Sequence, residues 1–303
     1  MQPERLTLLF DGTRLRRDVS DISSNPPAVR VLTSGRDWIS MGLRELVEYH
    51  ELLYFLVWRD IKVRYKQSIL GAAWAILQPF MTMVVFTIFF NRMAGVSSGD
   101  VPYPLFSYAG LLPWTFFAQG LSQSSNSLVG SANLIRKVYF PRVVVPIASI
   151  LSGAVDFALA FVVLVAMMAF YGVWPTAAIV WFPLFVLLAF VTALGVGLWL
   201  AALNVEYRDI RYVVPFVIQL WLFVTPVIYP STAVVAKLES SGLPGWLYGL
   251  NPMAGVVEGF RWALFGGDVP GSLLLTSGIS AVVLLAGGAY YFWRVEETFA
   301  DVV

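Results

Sequence analysis

The chain has 303 residues, of which 58% are hydrophobic and 13% are charged, and its formal net charge is +1. Soluble domains contain about 45–50% apolar and about 25% charged residues, so this composition excludes an ordinary soluble fold. The near-neutral net charge gives no indication of nucleic-acid binding, and the absence of cysteine excludes disulfides, thiolate nucleophiles and cysteine-based metal sites.

Residues 1–40 form a polar stretch that contains Asn25-Pro26-Pro27. It lacks the apolar core of a signal peptide, so we expect a flexible cytoplasmic tail and insertion of the chain through its internal segments.

Residues 41–66 are predicted to form an amphipathic helix that ends in a basic hinge, RDIKVRYK at Arg59–Lys66. Within Gly42–Trp58, the apolar side chains and the single histidine recur at helical spacing: Leu43, Leu46, Val47, His50, Leu53, Tyr54 and Val57. This helix is too charged to cross a bilayer and is typical of one that lies in the membrane interface. The alternative is a soluble helix that packs on the cytoplasmic loops.

Residues 67–303 are predicted to form a membrane domain. Ile69–Phe90 contains no Asp, Glu, Lys or Arg, and it exceeds the about 20 residues that a helix needs to cross the hydrocarbon core. Apolar windows of this kind predict six spans, at about residues 70–91, 105–128, 143–170, 178–203, 213–229 and 271–292. Met253–Phe265 is apolar but too short to cross, which fits a re-entrant or interfacial helix. It is interpreted as a pore-side gate, and the alternative is a simple external cap. The predicted fold class is therefore an all-α integral membrane protein.

Lys and Arg concentrate at one set of span ends, which predicts that both termini lie in the cytoplasm. The residues of this set are Arg59, Lys62, Arg64, Lys66, Arg136, Lys137, Arg142, Arg208, Arg211 and Arg294. The opposite ends have only Arg92, Lys237 and Arg261.

The usual signatures of an enzyme are missing from the sequence. No lysine follows a glycine, so there is no phosphate-binding loop, and His50 is the only histidine. We expect no catalytic residues, no bound cofactor and no metal site, so uphill transport would need a partner chain or an ion gradient. Asp156 is the one acidic residue inside a predicted span. It is interpreted either as part of an ion-coupled carrier or membrane enzyme, or as a structural hydrogen-bonding group.

Aromatic, amide and hydroxyl side chains occur together in spans two and five, in PWTFFAQGLSQSSNS and FVIQLWLFVTPVIY. Aromatic faces accept the C–H faces of sugar rings and amides exchange hydrogen bonds with hydroxyls, so a channel for sugars is one hypothesis. Helix–helix packing explains the same polar residues.

A series of motifs resembles the permease subunits of type-2 ATP-binding-cassette exporters for polysaccharides and polyol phosphates, a group that includes O-antigen, teichoic-acid and capsule exporters. These motifs occur in the order WRDIKVRYKQSILGAAWAILQP, VPYPLFSYAGLLPW, NLIRKVYFPR, NVEYRDIRY, TPVIYP, LNPMAG and FADVV. The resemblance covers about residues 43–303 and leaves the first 40 residues unexplained.

This resemblance implies that two copies of the chain form a pore in the bacterial inner membrane, driven by two separate nucleotide-binding subunits that hold ATP and Mg²⁺. The loop Ser131–Arg142 is expected to dock into the ATPase subunit, and the N-terminal helix adds a second contact. The candidate loop contacts are Asn133, Leu134, Ile135, Arg136, Lys137 and Tyr139.

The resemblance also assigns spans one, two and five to the pore. The candidate lining residues are Gln78, Trp114, Phe117, Gln119, Gln219, Trp221, Phe223 and Tyr229. Short helices within Leu243–Phe265 are expected to close the outer mouth. The candidate gate residues are Trp246, Tyr248, Met253 and Phe260.

The cargo implied by the resemblance is a lipid-linked polysaccharide, similar to O-antigen or teichoic acid, on an undecaprenyl carrier. Its pyrophosphate would need cations at the membrane surface, and the alternative is that these cations set topology and contact anionic lipids. The candidate cations are Arg59, Arg64, Lys66, Arg208 and Arg211. A small amphipathic cargo, such as a drug or a glycolipid, and an ion-coupled carrier that uses Asp156 are the other interpretations.

Overall fold

The computed structural model describes residues 47–66, 71–207, 209–296 and 299, and within these residues every regular element is a helix. The predicted tail in residues 1–40, the helical positions Leu43 and Leu46, and Arg208 lie outside the described residues.

The first helix, α1 (His50–Lys66), begins with Glu51 in its first turn and ends with Arg64 and Lys66 in its last, the charge order that the helix dipole favours. Leu56 is its only buried residue, whereas Tyr54, Phe55 and Trp58 are exposed. An exposed apolar face of this kind fits the predicted position in the membrane interface.

Among the residues that the structure describes, four helical segments are long and apolar enough to cross a membrane: Ala73–Met93, Val144–Tyr171, Ala177–Glu206 and Gly271–Glu296. They coincide with predicted spans one, three, four and six. The left-handed Gly172 (φ 69°) ends the second of these segments, where the sequence predicts a break.

These segments contain the following elements. α2 (Gly71–Phe86) continues as a π-helix (Thr87–Met93). α5 (Val144–Ser152) and α6 (Ala154–Tyr171) form the second segment, and a 3₁₀ turn (Ala177–Trp181) leads into α7 (Phe182–Glu206). α11 (Gly271–Glu296) is the last helix.

The remaining predicted spans coincide with α3 (Tyr103–Gly130) and α8 (Ile210–Val224). α3 is long but rich in serine and amide side chains, and α8 has only 15 residues. The count of six spans therefore stays a prediction.

The bundle is built around α3, which packs against α2, α5, α6, α7 and α8, while α11 packs on α7. Small residues allow α7 and α11 to approach closely, as they do in many membrane bundles. A Cβ atom added at Gly288 of α11 would lie 2.1 Å from the carbonyl oxygen of Gly195 in α7. The backbones of these two helices therefore make direct contact.

Three short elements follow α8: α9 (Ser231–Ser240), a 3₁₀ turn (Gly245–Leu250) and α10 (Pro252–Phe265). The side chain of Asn251 caps α10 by accepting a hydrogen bond from the backbone N–H of Met253 at 3.1 Å. α10 coincides with the short helix that the sequence predicts, and most of its residues are buried. It is therefore an integral part of the core at the end of the bundle where α3 begins.

Candidate functional site

An ion-pair cluster joins α1 to three other helices. The Arg64 guanidinium at the end of α1 donates hydrogen bonds to Asp156 of α6, Gln123 of α3 and Ser152 of α5, the last at 3.1 Å. The Tyr65 hydroxyl donates to the second carboxylate oxygen of Asp156. Burial and this hydrogen bond raise the pKa of Tyr65 to about 12, so the phenol stays protonated and remains a donor.

This cluster engages the Arg64 guanidinium with protein groups, and the predicted contact of Arg64 with a lipid headgroup stays a prediction. It also favours the structural interpretation of Asp156, since both carboxylate oxygens accept hydrogen bonds from α1.

The other predicted surface cations differ in their surroundings. Arg59 forms an ion pair with its neighbour Asp60 at 2.8 Å, and the Arg211 guanidinium lies 4.9 Å from the Tyr212 ring centroid. Lys66 and Arg211 are exposed.

A polar cavity of about 280 Å³ opens beside the ion-pair cluster. Its lining consists of Arg64, Gly71, Trp74, Ala75, Gln78, Gln119, Gln123 and Asp156. The structure thus brings together two of the predicted channel residues, Gln78 and Gln119, from different helices. Because amides pair with hydroxyls and an indole offers a flat apolar face, this lining has the chemistry that a sugar ring requires.

Two other predicted channel residues lie in the protein core. Trp114 and Phe117 of α3 are 5% and 0% exposed, with ring centroids 5.4 Å apart. Phe117 also packs edge-to-face on Trp221 of α8, at 5.1 Å. Both side chains are buried in this conformation, and their role in lining a channel stays a prediction. Their burial reflects the packing of α3 against its neighbours.

The remaining channel candidates belong to α8 and the turn that follows it. Gln219 and Phe223 are exposed, whereas Trp221 and Tyr229 are half-buried. The Trp221 indole N–H donates to the Asn251 side-chain oxygen at 2.9 Å, and the Tyr229 hydroxyl donates to the carbonyl of Phe223 at 2.7 Å. These two side chains therefore hold the end of α8 in place.

The predicted ATPase-binding loop contains α4 (Ala132–Lys137), which follows directly on α3. Ile135 is buried and Leu134 half-buried, whereas Asn133, Arg136, Lys137 and Tyr139 lie at the surface. Arg142 secures the end of the loop: its backbone N–H donates to the Glu296 carboxylate of α11 at 3.1 Å. The loop therefore presents a basic and aromatic surface on an apolar anchor.

The predicted gate residues divide into two groups. Trp246 is exposed and Tyr248 is 9% exposed, and the Tyr248 hydroxyl donates to the Val224 carbonyl at 2.9 Å. Met253 and Phe260 have no exposed surface. These last two residues belong to α10 and pack into the core, and their role in an external gate stays a prediction.

Sequence reasoning missed the role of Arg261, which it treated only as a topological charge. This side chain is 4% exposed, and its guanidinium donates to the carbonyls of Pro226 and Val227 at 2.6 and 2.7 Å and to that of Phe106 at 3.3 Å. The guanidinium also forms an ion pair with the Glu258 carboxylate at 3.0 Å. The i,i+3 spacing of Glu258 and Arg261 in an otherwise uncharged segment is the signal that would have found the pair.

Glu258 extends this cluster to α9, since its carboxylate accepts a hydrogen bond from the Ser231 backbone N–H at 3.0 Å. Asn251 adds a parallel connection by donating to the Thr225 hydroxyl at 3.0 Å. α9, α10 and the end of α8 are thus joined by polar contacts.

The chain is similar to several known proteins. A family model described as "ABC-2 type transporter" matches residues 51–265. The O-antigen export system permease protein RfbA of Myxococcus xanthus is 31% identical over 262 residues, which cover 86% of this chain and 98% of that protein. The Klebsiella pneumoniae protein of the same name is 27% identical, over 84% of this chain and 95% of that protein. The polysialic acid transport protein KpsM of Escherichia coli is 26% identical, over 78% and 91% respectively.

Proposed function

The chain belongs to the ABC-2 type transporter family, and we propose that it is the transmembrane permease subunit of an ATP-driven exporter of polysaccharide. The observation that carries this proposal is the similarity to an O-antigen export permease over 86% of the chain. The polymer is proposed to be lipid-linked and to move outward from the cytoplasmic side of the bacterial inner membrane.

The family implies a separate ATP-binding subunit. We place the contact with that subunit at Arg136, Lys137 and Tyr139, whose side chains lie at the surface of the loop. In the proposed complex, two copies of the chain pair with two ATPase subunits, ATP and Mg²⁺ bind to the ATPase, and both termini of the chain are cytoplasmic.

The covalent and polar connections of the loop provide a route for mechanical coupling. α4 continues directly from α3, which contributes Gln119 and Gln123 to the polar cavity. Arg64 joins α1 to the same cavity through Gln123 and Asp156. In the proposed mechanism, the ATPase displaces the loop or α1, and these two connections carry the displacement to the polar cavity.

The polar cavity is the proposed entry for the sugar chain. Gln78 and Gln119 would exchange hydrogen bonds with its hydroxyls, and the exposed Trp74 ring would pack on a sugar face. Of the surface cations predicted from the sequence, Lys66 and Arg211 are exposed in the described part of the chain. We propose that these two contact the phosphate of the lipid carrier.

The test is to purify the chain with the ATPase of its exporter and to measure ATPase activity in proteoliposomes. The variant Arg136→Gln with Lys137→Gln should reduce binding of the ATPase and abolish stimulation of its activity by the permease. Lys237→Gln, at an exposed cation on α9, is the matched control and should leave both unchanged. Undiminished binding and stimulation in the double variant would refute the proposed contact, and the lack of any bound ATPase in the wild type would refute the proposed function.

A further inference from the structure

A second cavity, of about 590 Å³, lies along the groove between the α2/π-helix segment and α6. Phe80 and Val84 form one wall of this apolar groove, and Val163 and Met167 form the other. The proposed transport route does not use the groove, and its lining offers no amide or carboxylate to a sugar.

The groove lies at the depth of the membrane. Both of its walls belong to candidate spans, Ala73–Met93 and Val144–Tyr171. It approaches the ends of those spans at Arg92 and Tyr171, whereas the Arg64–Asp156 pair lies where α6 begins. Apolar surface at this depth gains dispersion contacts when hydrocarbon fills it.

The groove and the polar cavity are on different sides of α2. Gln78 lines the polar cavity and Phe80 lines the groove. Residues two apart on an α-helix differ by about 200° in direction. The groove therefore faces away from the proposed sugar route, which places it toward lipid rather than toward the transported polymer.

The open end of the groove has a cation beside a phenol. Arg92 is exposed, and among the described residues its guanidinium has no hydrogen-bond or ion-pair partner. Tyr171 lines the groove at the same end. Arg binds phosphate through two parallel hydrogen bonds, and Tyr is favoured at the headgroup level of membranes. This rim therefore complements an anionic headgroup.

The π-helix accounts for the position of Arg92. Residues five apart would differ by about 140° on an α-helix, but hydrogen bonding from i to i+5 brings them toward one face. Thr87 and Arg92 are separated by five residues in the π-helix, and both line the groove. π-helical turns are frequent at functional sites because they redirect side chains in this way.

We propose that this groove binds a membrane phospholipid, with one acyl chain between the α2/π-helix segment and α6 and the phosphate at Arg92 and Tyr171. The charge complementarity of the rim and the membrane depth of the apolar walls identify the occupant. A bound phospholipid would bridge two spans that otherwise leave an open groove between them.

The experiment uses the complex of the chain with its ATPase, reconstituted with palmitoyl-oleoyl phosphatidylglycerol and analysed by native mass spectrometry after transfer to detergent. The wild type should retain one phospholipid per chain. Ala166→Trp places an indole in the groove at an exposed position and should abolish retention, and Arg92→Gln should lower retention about tenfold. Val162→Trp, at a position on α6 that is 65% exposed and outside the groove, is the matched control and should retain lipid as the wild type does.

Four results would overturn the proposal. The first is a wild-type complex without bound phospholipid, and the second is equal retention in Ala166→Trp and Val162→Trp. The third is a changed number of chains per complex in Ala166→Trp, which would identify a second copy of the chain as the occupant. If the retained molecule were a polyprenyl phosphate, the groove would belong to the transport route and the phospholipid assignment would be wrong.

Discussion

The guanidinium of Arg64 and the carboxylate of Asp156, separated by 92 positions in the sequence, form an ion pair that joins α1 to α6. The two side chains are 24% and 13% exposed, so both charges are largely removed from solvent and each offsets the desolvation of the other. The same guanidinium contacts Gln123 beside the polar cavity. This pair therefore connects the proposed interface helix to the proposed entry for the sugar chain.

Replacing Asp156 by Asn leaves the Arg64 guanidinium without its counter-charge and should lower the free energy of unfolding by about 2 kcal/mol, because a partly buried charge loses its partner. Combining Asp156→Asn with Arg64→Gln should recover part of this loss. Thermal unfolding of the four proteins in a double-mutant cycle measures the coupling, which should be about 1 kcal/mol or more. Strictly additive effects would show that the pair does not act as a unit.

Substitution of the buried Arg261 should lower the stability of the protein more than substitution of a surface cation. Arg261→Met removes the guanidinium donor from three backbone carbonyls and the counter-charge from Glu258, which should lower the free energy of unfolding by about 3 kcal/mol or more. Lys237→Met on the exposed face of α9 is the control, and its melting temperature should stay close to the wild-type value. Equal melting temperatures for the two variants would contradict the described cluster.

A pair of glycines on α11 tests the close contact with α7. Gly288→Ala should destabilise the protein by about 1–3 kcal/mol, because the new Cβ would meet the Gly195 carbonyl oxygen at 2.1 Å. Gly278→Ala should be neutral or stabilising by up to about 1 kcal/mol, since an added Cβ there has no atom within 4 Å. Thermal melts of both variants measure the difference, and a stable Gly288→Ala variant would require α7 and α11 to be farther apart.

The polar cavity and the aromatic core of α3 should respond differently to substitution. Gln119→Leu should lower polysaccharide export while leaving unfolding unchanged to within about 0.5 kcal/mol, because Gln119 borders the cavity and is half-buried. Phe117→Ala should instead destabilise the protein by about 3–5 kcal/mol. Export per folded molecule is the measurement, and normal export by Gln119→Leu would remove this residue from the proposed route.

The positions of most helices could be predicted from the sequence because charge-free windows are long and sharply bounded. The charge-free windows at 178–203 and 271–292 correspond to the candidate spans Ala177–Glu206 and Gly271–Glu296. These agreements follow from the length of helix that a bilayer demands.

The directions of the side chains could not be predicted in the same way. Lipid is as apolar as a protein core, so hydropathy does not distinguish a buried face from a lipid-facing one. Trp114 and Phe117, which the family resemblance assigns to the channel lining, are buried in the structure, and hydropathy gives no signal of that burial. The pairing of Arg64 with Asp156 also has no local signal, because no helical spacing connects two residues that lie so far apart in the sequence.

Polysaccharide export in cells tests the central claim most directly. Deletion of this chain in its own organism should leave the lipid-linked polymer on the cytoplasmic side of the inner membrane, where antibody or lectin cannot reach it in intact cells. Expression of the wild type should restore surface polymer, and Arg136→Gln with Lys137→Gln should not restore it despite normal membrane levels. Unchanged surface polysaccharide and no internal polymer after deletion would contradict the assignment of this chain as a polysaccharide export permease.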